Sequence, residues 1–110
     1  LEYWEGRCDV TGIAVPEMLR ASHIRPWVDC ETDAERLDVF NGLLLAPQLD
    51  AVFDRGLMTV GDGGEVRVSS RLDSSARSAL GLGPVLTVRG LGERHLRYLR
   101  WHRERVYRER

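Results

Sequence analysis

Two segments decide how this chain folds: LRASHIRPW at residues 19–27 and RLDVFNGLLLAPQLDAVFD at residues 36–54. The first sets a histidine inside a short apolar run, and Pro26 closes that run because proline has no ladder donor and biases the preceding residue to extended geometry. Residues 20–24 therefore read as a short strand. In the second segment Asn41 opens a fully apolar run, and residues 42–45 read as a second brief strand. Pro47 then supplies a preset φ for the first turn of a helix reaching about residue 55. Leu49, Val52 and Phe53 give that helix an apolar face, and Gly56 ends it. Asp50 and Asp54 stand one turn apart, so their carboxylates share a face. Between the segments, residues 27–40 form an acidic loop with one helical turn near residues 34–37.

Outward from this core the signals are local. Residues 1–7 read as the end of a helix anchored by Tyr3 and Trp4 and stopped by Gly6. CDVTG at residues 8–12 is turn-like, and Pro16 opens a short helical turn. Gly61-Asp62-Gly63-Gly64 separates two short strand patterns, 57–60 and 65–69, and predicts a hairpin. Asp73 or Ser74 caps a short helix ending near Leu80. Residues 85–88 read as a last short strand. Residues 92–108 predict a helix with Leu91, His95, Tyr98, Leu99, His102 and Val106 on one face. The fold class is α+β.

One hundred and ten residues suit a single domain able to bury roughly 65% of its unfolded surface. With 43% hydrophobic and 30% charged residues the composition is that of a globular protein. No apolar run approaches the ~20 residues of a membrane span, and no secretory signal is present, so a cytoplasmic setting without membrane attachment is expected. The chain opens on Leu1, as a piece of a longer protein would. All sixteen basic residues are Arg, a planar, always-charged donor suited to phosphate. Residues 1–88 carry fourteen carboxylates against eight arginines, and residues 89–110 carry eight arginines against three glutamates. Such a basic end suits either a polyanion partner or a solvated helix face, and Arg97, Arg100 and Arg103 are its candidates for contacting phosphate. Cys8 and Cys30 form no C-x-x-C pair, which argues against a cysteine zinc knuckle, and two reduced, partly buried thiols are expected, with a disulfide between them the alternative.

His23 can accept a proton near neutral pH. A cation between Asp50 and Asp54 would remove the repulsion of two adjacent carboxylates, and oxygen donors favour Mg²⁺ or Mn²⁺. Arg20 and Arg25 flank His23 closely enough to clamp phosphate. Each feature has a plainer reading. Strand histidines are more often packed than catalytic, paired aspartates are common on solvated helices, and Asn before Gly is usually a turn residue. Trp27 reads as a core anchor beneath the loop, with base stacking the weaker alternative. His95 and His102 read as packed histidines, each with one nitrogen reaching solvent, rather than as a second metal site.

The joint spacing changes that balance. Ala21-Ser22-His23-Ile24-Arg25-Pro26-Trp27, Arg36-Leu37-Asp38 with Asn41-Gly42-Leu43-Leu44-Leu45, and Asp50 with Phe53-Asp54-Arg55-Gly56 together resemble the HNH endonucleases of the His-Me finger superfamily. CDVTG and Leu99-Arg100-Trp101-His102-Arg103-Glu104 fit the same branch, so the resemblance spans nearly the whole chain. It implies a ββα-metal finger core at about residues 19–56, with flanking helices and a small β-hairpin. It also implies one HNH nuclease domain over residues 1–110 that hydrolyses DNA phosphodiester bonds. By position His23 is the general base, and Asn41 is the catalytic-motif asparagine that holds the base's loop or binds metal. Asp50 and Asp54 are the metal ligands, while Arg20 and Arg25 stand outside the carried-over motif as candidate substrate-binding residues by their nearness to His23, with ordinary surface arginines the equal alternative. The third H of the family name is here an aspartate, and Ser22 stands where other members carry a metal-binding Asp or His. The implied cofactor is one divalent ion, Mg²⁺ or Mn²⁺ before Ni²⁺ or Zn²⁺. The implied partners are DNA and further domains of the same chain, with a homodimer left open. Restriction or anti-phage defence is the implied setting, and a catalytically inactive DNA-binding or interaction module is the alternative.

Overall fold

In the computed structural model, which describes residues 7–83 and 86–110, two short antiparallel strands feed one helix. Strand β1 (Arg20–His23) pairs with β2 (Gly42–Leu45) in the register Arg20↔Leu45, Ala21↔Leu44, Ser22↔Leu43 and His23↔Gly42. Helix α2 (Pro47–Asp54) follows β2 directly and packs on β1. This is the expected ββα unit within an α+β fold. Burial explains its geometry: Leu43, Leu44 and Leu45 are all inside, as are Leu49, Val52 and Phe53 on α2. A strand without a polar face must be covered on both sides.

The second side is covered by the turn at residues 8–12. Asp9 donates its backbone N–H to the Leu44 carbonyl at 2.8 Å, and its carboxylate accepts the Leu44 N–H at 2.8 Å. Cys8 Sγ accepts the Ala46 N–H at 3.3 Å, at the residue that precedes α2. Cys8 and Cys30 are both buried free thiols.

The loop between β1 and β2 is more structured than the sequence suggests. It holds 3-10 turns at Trp27–Asp29 and Val39–Asn41 and a short helix α1 (Asp33–Leu37) capped by Thr32. Beyond α2, β3 (Met58–Val60) and β4 (Val66–Val68) form the expected hairpin, and α3 (Ser74–Ala79) is capped by Asp73. Among the described residues of the last predicted strand, Thr87 is bridged to Glu65, and Leu86 and Val88 share backbone hydrogen bonds with Val66 and Gly64. Part of that strand and residues 1–6 of the helix end expected at residues 1–7 lie outside the described residues, and Arg7 forms a bend.

The last helix is shorter than its periodicity predicts. A 3-10 turn at Glu93–His95 leads into α4 (Leu96–Arg105), and the chain then leaves the helix. The Val106 and Tyr107 N–H groups both turn back to the His102 carbonyl. Arg108 N–H reaches the Gly56 carbonyl at 2.8 Å, and the Glu109 carbonyl accepts the Ser70 N–H at 2.8 Å. Backbone partners outside the helix thus replace the bonds that would have continued it. Gly56 makes the approach possible: it sits at φ +74, and a Cβ there would lie 2.1 Å from the Val106 carbonyl oxygen.

Candidate nuclease site

His23 ends β1 and leaves the sheet edge partly exposed. Its Nε2 lies 3.0 Å from the Arg36 carbonyl oxygen. A carbonyl oxygen only accepts, so Nε2 carries the proton, and in the neutral ring Nδ1 holds a basic lone pair. Arg36 is itself fixed by Asp33 and by the carbonyls of Trp27 and Cys30. The ring that orients the imidazole on its other side is Trp27, edge-on at 5.9 Å between centroids. Trp27 is 56% exposed and is therefore not the core anchor expected from the sequence. The short turn that carries it points the indole outward beside His23, under the Arg36 guanidinium.

Asn41 is buried, and its amide is spent on backbone. Its Oδ1 accepts the Arg25 N–H at 2.8 Å, and its Nδ2 faces the carbonyls of Arg25 and Glu35 at 3.2 and 3.3 Å and Cys30 Sγ at 3.4 Å. It thereby ties both ends of the β1–β2 loop to the start of β2. Of the two arginines expected to clamp phosphate, Arg20 is exposed on β1. Arg25 is engaged with Glu31 at 3.5 Å, Glu35 at 4.0 Å and the Asp29 carbonyl, and lies over the Trp101 ring.

Asp50 and Asp54 lie on successive turns of α2. Burial raises the Asp54 carboxyl above its ordinary range and the Asp50 charge adds to the rise, while Ser22 and His23 oppose it. Ser22 Oγ donates to Asp54 Oδ1 at 3.4 Å. Ser22, His23, Asp50 and Asp54 therefore form one electrostatic unit where β1 meets the end of α2. Among the described residues no group of three or more His, Cys, Asp or Glu side chains could enclose a metal ion. Two repelling carboxylates fit a cation that takes its remaining ligands from water and substrate, which suits Mg²⁺ or Mn²⁺ better than the closed nitrogen and sulfur shell of structural zinc.

The end of α2 is held from behind by His102. Its Nε2–H donates to the Phe53 carbonyl at 3.0 Å, so its Nδ1 accepts from the Thr59 hydroxyl at 2.8 Å, and its ring stacks on Phe53 at 3.9 Å. Burial pushes its pKa down to about 4, so the ring is neutral. The expected solvent-reaching nitrogen is thus engaged inside the protein. His95 is also buried, with Nδ1 accepting the Gly92 N–H. Neither histidine belongs to the site. Three arginines of α4 are paired: Arg97 with Glu35 and Asp38, and Arg100 and Arg103 with Asp62 on the hairpin tip.

A profile of the HNH endonuclease family matches residues 8–61. Among solved structures, a modification-dependent TagI restriction endonuclease superposes with a TM-score of 0.61 at 24% identity, over 96% of this chain and 35% of its own. At that identity the likeness concerns the fold, and the chain spans about a third of that protein's length. No curated protein matches. The family match runs from the turn that covers β2, through both strands and α2, to the hairpin, and so takes in His23, Asn41, Asp50 and Asp54 together. Over that stretch, residues 8–61, the chain matches the HNH endonuclease family.

Proposed function

We propose that this chain is a metal-dependent DNA endonuclease and that His23 is its general base. The observation that carries this reading is the Nε2–H bond to the Arg36 carbonyl, which leaves Nδ1 as the proton acceptor beside the Asp50–Asp54 pair. His23 would take the proton from a water attacking the phosphodiester. Asp50 and Asp54 would hold the cation, and Ser22 would orient the Asp54 carboxylate. A divalent ion there supplies Lewis-acid stabilisation of the phosphate and of the departing oxygen. The family resemblance supports products with 5′-phosphate and 3′-hydroxyl ends. Asn41 serves by fixing the loop that carries the Arg36 carbonyl. Arg20 is the exposed cation on the base's own strand. Arg25 would reach phosphate only by exchanging Glu31 and Glu35 for it.

The matched structure is about three times longer than this chain, which supports further domains that choose the target, as in a restriction or defence protein. The rival reading, a non-cleaving DNA-binding module, predicts affinity without metal-dependent cutting. Incubating the protein with plasmid DNA in EDTA and in Mg²⁺, Mn²⁺, Ni²⁺ or Zn²⁺ separates the two. Nicked or linear products in Mg²⁺ or Mn²⁺, absent in EDTA, are expected. DNA binding with no cleavage in any metal would leave the rival reading standing.

A further inference from the structure

A depression of about 590 Å³ opens beside the carboxylate pair, and its lining includes Asp54 together with Arg55, Arg71, Arg105 and Arg108. Four arginines and one aspartate in one lining are an unbalanced set. Among the described residues Arg25, Arg36, Arg67, Arg97, Arg100 and Arg103 stand in ion pairs, whereas Arg20, Arg77, Arg89 and Arg94 do not, and those four are scattered over the chain rather than gathered in one depression. Among the described residues none of the four in this depression is in an ion pair. The nearby Glu109 carboxylate is engaged with the Tyr107 hydroxyl. Four like charges gathered at one place repel, and an anion seated among them would relieve that cost.

The four come from separate parts of the chain and are brought together by backbone rather than by side-chain chance. Arg55 follows Asp54 directly at the end of α2. Arg71 follows β4, where the Ser69 hydroxyl accepts its N–H at 3.2 Å. Arg105 ends α4, and Arg108 sits in the tail that departs from it. That tail is fastened on both sides. Arg108 N–H bonds Gly56 at 2.8 Å, and the Glu109 carbonyl accepts the Ser70 N–H at 2.8 Å and the Ser69 and Ser70 hydroxyls at 3.1 and 3.0 Å. His102 fixes the Phe53 carbonyl beside the same helix end. The early exit of the chain from α4 is what places Arg108 next to Arg55.

We infer that Arg55, Arg71, Arg105 and Arg108 form a track for the DNA backbone, seating the phosphates next to the one cleaved at Asp54. The inference rests on the nuclease reading and names the surface by which that site holds its substrate. Arg55, one residue from the carboxylate pair, meets the phosphate nearest the scissile bond, and the other three meet the phosphates that lead away from it. The track carries charge without base-reading groups, so it contributes affinity and register rather than sequence choice.

The test compares duplex binding in EDTA across a salt series for the wild-type chain and for Arg→Gln variants. The variants are the pairs Arg55→Gln with Arg71→Gln and Arg105→Gln with Arg108→Gln, and all four together. Arg97→Gln with Arg100→Gln is the control, because those side chains already have acidic partners. For every phosphate that a variant no longer neutralises, the slope of log K against log salt should flatten by about 0.9. Each pair should therefore flatten it, the quadruple variant most, and the control should not. In Mg²⁺ or Mn²⁺ the pairs should raise KM for a short duplex with kcat within about threefold of wild type, since they disturb position rather than chemistry. The pair variants carry the test even where the quadruple variant folds poorly. Wild-type slope and wild-type KM in both folded pairs would overturn the track alone. A wild-type chain that neither binds nor cuts DNA would overturn the nuclease reading, and the track with it.

Discussion

At the scale of the residue, the decisive detail is which nitrogen of His23 is left basic. The Arg36 carbonyl fixes the proton on Nε2, and the Trp27 edge limits rotation of the ring. His23→Ala is expected to lower cleavage by ~10²–10⁴ while the melting temperature and DNA affinity stay near wild type. Wild-type turnover in that variant would remove His23 from the base role. The carboxylates make a second prediction. Asp50→Ala and Asp54→Ala should each weaken Mn²⁺ binding measured by calorimetry, and the double variant should be inactive at practical Mg²⁺ concentrations. The competing account gives Asp54 only the Ser22 hydroxyl to hold. Wild-type Mn²⁺ affinity in the Asp54→Ala protein would favour that account.

At the scale of the element, the acidic loop is held by one buried amide. Asn41 meets both backbone groups of Arg25 and the Glu35 carbonyl, so the loop's two ends move together. Asn41→Ala leaves buried backbone groups without partners and should cost about 1–3 kcal/mol of stability, measured by denaturant unfolding. Activity should fall with it, because the same loop supplies the carbonyl that orients His23. A variant with unchanged unfolding and unchanged turnover would reduce Asn41 to a turn residue. The finger itself was legible: Pro26, Pro47 and Gly56 bound its elements, and the apolar runs between them fill it. Other features rest on partners that no local pattern announces. Period and propensity extend α4 to residue 108, but Gly56 and Ser70 capture the backbone that leaves it at Val106. The loop's apolar Trp27 reads as buried, yet the short turn around it turns the ring outward. The carbonyl of Arg36 carries no sequence signal at all, since every residue has one.

At the scale of the whole molecule, buried titrating groups pull stability in opposite directions with pH, Asp9 one way and His102 with His95 the other. Asp9 is fastened to β2, and the Arg89 N–H donates to its carbonyl, so it ties the first turn to the sheet and to the chain near residue 89. Burial outweighs the Leu44 hydrogen bond and the Arg89 charge, and pushes its carboxyl up to about 8 from 3.8. Between those values the folded state holds a proton that the unfolded chain has lost, so Asp9 makes stability fall as pH rises, by about 1.4 kcal/mol per unit. His102 acts oppositely. Its folded pKa of about 4 lies below its ordinary 6.5, so the unfolded chain binds the extra proton between them and stability rises with pH across that window. Glu35, Asp38 and Asp62 are all lowered, so their contributions are lost only in the acid range. Asp9 and His102 therefore oppose each other from about pH 4 to 6.5, with His95 adding to His102, and Asp9 acts alone from there to about 8. Stability should drop by roughly 2 kcal/mol across the second window. Asp9→Asn, which keeps the acceptor for the Leu44 N–H, should abolish the drop above pH 6.5 and expose the rise below it that belongs to His102 and His95. Urea unfolding at a series of pH values reads both effects, and a variant that keeps the wild-type decline from pH 6.5 to 8 would show that Asp9 is already ionised in the folded protein.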